Sequence, residues 1–152
     1  MATVTESSLE VLNDLIKINN DRADGFEKSL KDLGDGDQDL KTLFEQYSQQ
    51  SRKFSQELTA EAARIGGDAQ TDNSVSGTLH RAWIDVKALF TGHDRKAVLQ
   101  ECERGEDAIK KAYRDALAPD SGLSSEYTSV VSSQATDIKA AHDRIKALRD
   151  SQ

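Results

Sequence analysis

Cysteine occurs once in this chain, at position 102, so an intrachain disulfide is excluded, and its helical surroundings suit a packed thiol better than a nucleophile. Proline also occurs once, and aromatic residues make up only 5% of the chain against 31% charged residues. Sheets need β-branched and aromatic faces, so this balance favours long solvated helices. The net charge is −7 and no basic stripe is present, which argues against binding nucleic acid or an anionic lipid surface. Met1 to Glu10 holds neither a basic region nor an apolar run, and no later run approaches the roughly 20 apolar residues that span a bilayer. A cytoplasmic location is the expectation. A phosphate-cradling glycine loop between strand and helix is absent. The stretch Gly34-Asp-Gly-Asp37 lacks the twelve-residue calcium pattern with its terminal glutamate.

What the chain does have is helical spacing. With 152 residues it fits one domain, spanning 1–152, with a single continuous core. Leu9, Leu12, Leu15, Ile16, Phe26, Leu30 and Leu33 recur three or four apart and predict a helix over about 5–33, ended by Gly34 and Gly36. Asp37 is read as the cap of a second helix over about 38–65, with Leu40, Leu43, Phe44, Tyr47, Phe54, Leu58, Ala62 and Ile65 as its stripe. About thirty residues follow before the next long helix, too many for a tight turn. Within them Leu79, Trp83, Val86 and Phe90 predict a short crossover helix over about 76–91, with Trp83 as a core plug. Val98, Cys102, Ile109, Ala112, Tyr113 and Ala116 line a helix over about 95–118, stopped by Pro119. Tyr127, Val131, Ile138, Ala141, Ile145 and Leu148 line a last one over about 124–150. Two hairpins joined by one long crossover is the ferritin-like connection scheme, so the expected fold is an all-α, ferritin-like four-helix bundle with a short fifth helix.

Two stretches look like the corresponding helices of ferritin: Arg64-Ile-Gly-Gly67, and the segment from Gln134 to Arg149. End to end, the chain resembles a bacterial four-helix-bundle family of unknown function in the ferritin-like superfamily. That resemblance is carried by Leu12-Asn-Asp-Leu15, Gly25-Phe-Glu27, Leu79-His-Arg-Ala-Trp83, Glu101-Cys-Glu-Arg-Gly-Glu-Asp107 and Ala141-His-Asp-Arg144. It implies a fold but supplies no activity.

A ferritin-like dimetal centre draws Glu from two helices and Glu-x-x-His from the others, because residues at i and i+3 share a helix face. The chain contains no Glu-x-x-His. Where the ferritin resemblance places that motif, the sequence reads Ser51-Arg-Lys-Phe54, and neither Ser51 nor Phe54 is a credible ligand. A displaced site would draw on Glu27, Glu57, Glu61, Glu103 or Glu106 with His142 as its imidazole, Glu106 and His142 each lying beside an apolar seam. The plainer reading of Glu101 to Asp107 is a run of solvated acids opposing the helix dipole, with Gly105 allowing a close helix approach. His80 and His93 suit surface capping or backbone hydrogen bonds. Asn19 and Arg22 interrupt the first apolar stripe, and Ser51 and Gln134 fall on similar inward stripes. These four predict a buried polar network where a relative would keep metal.

The expected role is a non-catalytic bundle that acts through self-association, as a homodimer, or through a protein partner, and that needs no cofactor. The alternative is a metal-binding oxidoreductase or metal store holding iron, manganese or zinc at a carboxylate/His142 site. Val75, Ile84 and Leu99 are read as exposed residues available to the crossover or to a dimer face.

Overall fold

The apolar spacing is realised as four long helices in a computed structural model that describes residues 4–65 and 95–151. Helix α1 spans Val4–Asp32, α2 Gln38–Ile65, α3 Arg95–Leu117 and α4 Ser125–Asp150, and no strand occurs among the described residues. Each boundary falls within a residue or so of the spacing-based expectation, apart from the capping at Asp37. Asp37 lies inside a one-turn 3-10 helix, Asp35–Asp37, and turns back so that its Oδ2 accepts the Gly34 N–H at 3.2 Å. The predicted crossover helix over 76–91, with His80, Trp83 and Ile84, and the flanking Val75 and His93 lie outside the described residues.

Cross-helix pairs fix the directions. Along α1 the partners on α2 run backwards: Ser55 with Asn20, Ser51 with Arg22, Ser48 with Glu27. The partners on α3 run backwards too, Tyr113 with Asn19, Glu106 with Arg22 and Cys102 with Ser29. Helix α1 is therefore antiparallel to both α2 and α3, which run the same way. Arg95, at the start of α3, pairs with Asp37 and with Asp39 at the start of α2, at 3.1 and 2.7 Å. Ile65 and Arg95 consequently lie at opposite ends of helices about 35–42 Å long, as the rise of 1.5 Å per residue requires.

Packing α1 against two helices buries more of it than one stripe. Ile18, Ala23 and Ser29 join Leu12, Leu15, Ile16 and Phe26 in the interior. Phe26 meets Phe44 and Tyr47 of α2 at ring-centroid distances of 5.1 and 5.5 Å, a tilted geometry that suits aromatic quadrupoles. Helix α3 likewise buries a wide arc that includes Val98, Leu99, Cys102, Gly105, Ile109 and Tyr113. Leu99, expected on the outside, is completely buried, because an arc this wide reaches one position past the stripe.

Helices α3 and α4 form the second hairpin. After Pro119 the chain turns through Gly122, whose φ of +87° favours a residue without Cβ. A Cβ at that position would also stand 2.7 Å from Cβ of Ser7. The turn is tied to the start of α1, where Ser8 Oγ accepts the Ser124 N–H at 2.8 Å. No helix among the described residues is long and apolar enough to cross a membrane.

Candidate functional site

An arginine on the inner face of a helix must either reach water or meet an anion, since a buried unpaired charge is prohibitively costly. Arg22 of α1 is completely buried and meets Glu106 of α3, equally buried, at both carboxylate oxygens. Nε donates to Oε1 at 2.6 Å and Nη2 to Oε2 at 3.0 Å, the two-pronged match that a planar guanidinium makes with a carboxylate. Its Nη1 donates to α2, to Ser51 Oγ at 2.8 Å and Gln50 Oε1 at 2.9 Å. The rings of Phe26 and Tyr47 lie 5.2 and 5.3 Å from Cζ, adding cation–π attraction on surfaces that also exclude water. Burial, with the Glu106 charge nearby, raises the Tyr47 phenol above its ordinary pKa.

From this pair a directed chain of hydrogen bonds crosses the bundle. Ser51, having accepted from Arg22, donates to Asn19 Oδ1 at 2.9 Å. Asn19 Nδ2 donates to the Tyr113 hydroxyl at 2.8 Å, and Tyr113 donates to Gln134 Oε1 at 2.7 Å. Gln134 Nε2 then donates to Glu57 Oε1 at 3.0 Å, on the half-buried side of α2. All four helices contribute, and every link passes from donor to acceptor, from a cation at one end to a carboxylate at the other. Burial pushes the Tyr113 phenol well above its usual range, so the hydroxyl keeps the proton it donates.

The structure thus brings Asn19, Arg22, Ser51 and Gln134 into one network and completes it with Tyr113, Glu106 and Glu57. Of the carboxylates and the imidazole considered as ligands, Glu103 and His142 come within 4.8 Å of each other across α3 and α4, and the others are dispersed. Glu27 is largely exposed and bonds Ser48 and Arg52. Glu61 pairs with Arg64 on its own helix. Glu106 and His142 have different partners: Glu106 faces Arg22, whereas His142 faces Asp107 at 2.5 Å. Glu103, on the same side of α3 as Asp107, is buried and accepts from Arg149 at 2.6 Å. A solvated acid therefore describes Asp107, and in part the half-buried Glu101, which pairs with Arg104, but not Glu103 or Glu106, because α3 turns those two inward.

Asp107 was not among the candidate ligands. Its spacing of four from Glu103 is the signal that it shares that residue's face, but its pairing with His142 depends on how α4 lies against α3. Cys102 is completely buried, within 3.7 Å of Ser29 Oγ, and burial drives its thiol pKa sharply upward, as expected of a packed, unreactive sulfur.

Four helices held together at their centre by a buried ion pair and a chain of amides and hydroxyls define an all-α helical bundle with a polar core. The chain belongs to the family described as Domain of unknown function (DUF2383), which matches residues 7–119, from the first turns of α1 past the end of α3. No curated protein matches the chain. Arg22, Asn19, Ser51, Glu57, Glu106 and Tyr113 lie within the matched range; Gln134 and His142, on α4, lie beyond it.

Proposed function

We propose that this chain is a cytoplasmic, non-catalytic bundle of the ferritin-like kind, as its resemblance to a bacterial family implies, and that it works by associating with a second copy or a protein partner. The observation that carries this reading is the Arg22–Glu106 pair. A carboxylate-bridged metal pair requires several anionic and imidazole donors converging on the bundle centre. Among the described residues the central network holds two carboxylates: both oxygens of Glu106 are taken by a guanidinium, and the half-buried Glu57 accepts from Gln134. Ser51 and Phe54 stand on α2 where further ligands would be needed, and Gln134 is already bonded to Tyr113 and Glu57. These residues do not fit a dimetal group. A fixed organic cation supplies the positive charge instead.

Association is supported by the seam between α2 and α4. The two helices meet around Gln134, and grooves of about 400 and 460 Å³ open along the seam. Leu43, Tyr47 and Val130 face these grooves among charges of both signs, including Lys53, Glu61, Asp137 and Arg144. Tyr47 and Arg144 on the second groove belong to residue types enriched at protein interfaces.

The test is aerobic loading with iron(II), followed by metal analysis of the protein and of Glu106→Gln. Iron oxidation at the buffer rate and no pair of ions dependent on Glu106 are expected. Two irons per chain that disappear in Glu106→Gln would overturn the reading. Light scattering over a concentration series tests association: a dimer that dissociates in Ala140→Glu, a change at an exposed α4 residue lining the second groove, is expected, and a monomer at every concentration would remove self-association.

A further inference from the structure

Two helical turns along α4 from Gln134, where α3 presents Asp107 next to Glu106 of the central network, His142 is held between carboxylates. Its Nδ1 lies 3.1 Å from Asp143 Oδ1 and its Nε2 lies 2.5 Å from Asp107 Oδ1. A neutral imidazole has one donor and one acceptor nitrogen, so two carboxylate contacts call for either an imidazolium or a cation beside the second nitrogen. On the Asp107 side a third donor converges. Ligand atoms of Glu103, Asp107 and His142 all lie within 4.8 Å of one another. Around a single ion with bonds of about 2.1 Å in tetrahedral geometry, ligand atoms stand about 3.4 Å apart, so small side-chain rotations bring the three into place.

We propose that Glu103, Asp107 and His142 form a mononuclear site for a divalent transition-metal ion, zinc foremost, clasping α4 to α3. One imidazole and two carboxylates form the mixed nitrogen and oxygen set that borderline divalent ions prefer, whereas magnesium and calcium favour oxygen alone. Asp143 occupies the supporting position: by accepting from Nδ1 it fixes the tautomer that presents the Nε2 lone pair to the ion. Glu103 and His142 are buried, while the Asp107 side chain is 61% exposed, giving the ion a route in and leaving one coordination position for water. Arg149, bonded to Glu103 Oε2 at 2.6 Å, competes with the ion for that carboxylate.

The site is tested by titrating zinc chloride into the metal-free full-length protein by calorimetry, with the thermal unfolding midpoint followed in parallel. One zinc per chain is expected, with a raised midpoint, and magnesium should neither bind nor shift it. His142→Ala should weaken binding at least tenfold; so should Asp107→Asn, which changes an exposed side chain and leaves the core intact. Asp143→Asn should weaken binding about 10- to 100-fold without removing a ligand. Arg149→Met should tighten it. Absence of zinc uptake by the folded protein would overturn the assignment and leave a protonated His142 between its two carboxylates. Binding of equal strength in the His142→Ala and Asp107→Asn proteins would overturn it as well, by placing the ion elsewhere.

Discussion

Tyr113 of α3 donates its hydroxyl to Gln134 of α4 at 2.7 Å, in an interior from which both side chains are shielded. The same oxygen accepts from Asn19, so one atom joins three helices. Tyr113→Phe keeps the ring and its packing but orphans one N–H of the buried Asn19 amide, whose nitrogen still donates to the Leu15 carbonyl, and the buried Gln134 amide oxygen. The expected loss is about 1–3 kcal/mol in urea unfolding, at an unchanged denaturant slope. A loss below about 0.5 kcal/mol would mean that the two amides find other partners.

The turn between α3 and α4 depends on Gly122. Alanine there must keep φ near +87° and place its Cβ 2.7 Å from Cβ of Ser7, which sits on the backbone of α1 and has little freedom to move. Gly122→Ala is expected to destabilise the fold by about 1–3 kcal/mol, the usual cost of a strained backbone position. Serine 8, whose hydroxyl accepts the Ser124 N–H, anchors the same turn. Ser8→Ala should therefore cost about 1 kcal/mol. A thermal melt of each variant checks both.

Acid should release the clamp between the starts of α2 and α3. The hydrogen bond from Arg95 holds the Asp39 carboxyl at a pKa of about 2, below its ordinary 3.8. A carboxylate depressed in the folded state stabilises that state above its ordinary pKa and loses the contribution as the pH falls through its folded value. The window is therefore about pH 4 down to about 2. Because the Asp39 side chain is 60% exposed, water screens the pair and its contribution is small. Wild type should exceed Asp39→Asn in unfolding midpoint near neutrality, and the gap should close by about pH 2. A gap that persisted there would assign the effect of the substitution to something other than the carboxylate charge.

Much of this architecture was readable from spacing, because leucines, isoleucines and phenylalanines three and four apart have one way to share a core. The polar members of the network were readable for the complementary reason. Asn19, Arg22, Ser51 and Gln134 interrupt apolar stripes, and an inward polar side chain requires a partner. What spacing could not supply was the identity of those partners. Tyr113 reads as one more apolar position until its hydroxyl is seen between two amides. Glu106 beside an apolar seam reads the same whether its counter-ion is a metal or a guanidinium, and here it is the guanidinium of Arg22. Asp107 reads as a solvated acid, which by exposure it is; its contact with His142 exists only through the rotation of α4 against α3. Leu99 was misplaced because the buried arc of α3 is wider than a single stripe.

The Arg22–Glu106 pair is the centre of the structural and functional reading alike, and a double-mutant cycle measures it most directly. Arg22→Met or Glu106→Leu alone strands a buried charge and should cost about 3–5 kcal/mol, whereas the double replacement puts two apolar side chains face to face and should recover much of that loss. Equilibrium urea unfolding of the four proteins should give a coupling energy of about 2–3 kcal/mol. Additive losses, with coupling within about 0.5 kcal/mol of zero, would contradict the claim that these two residues hold the middle of the bundle as a unit.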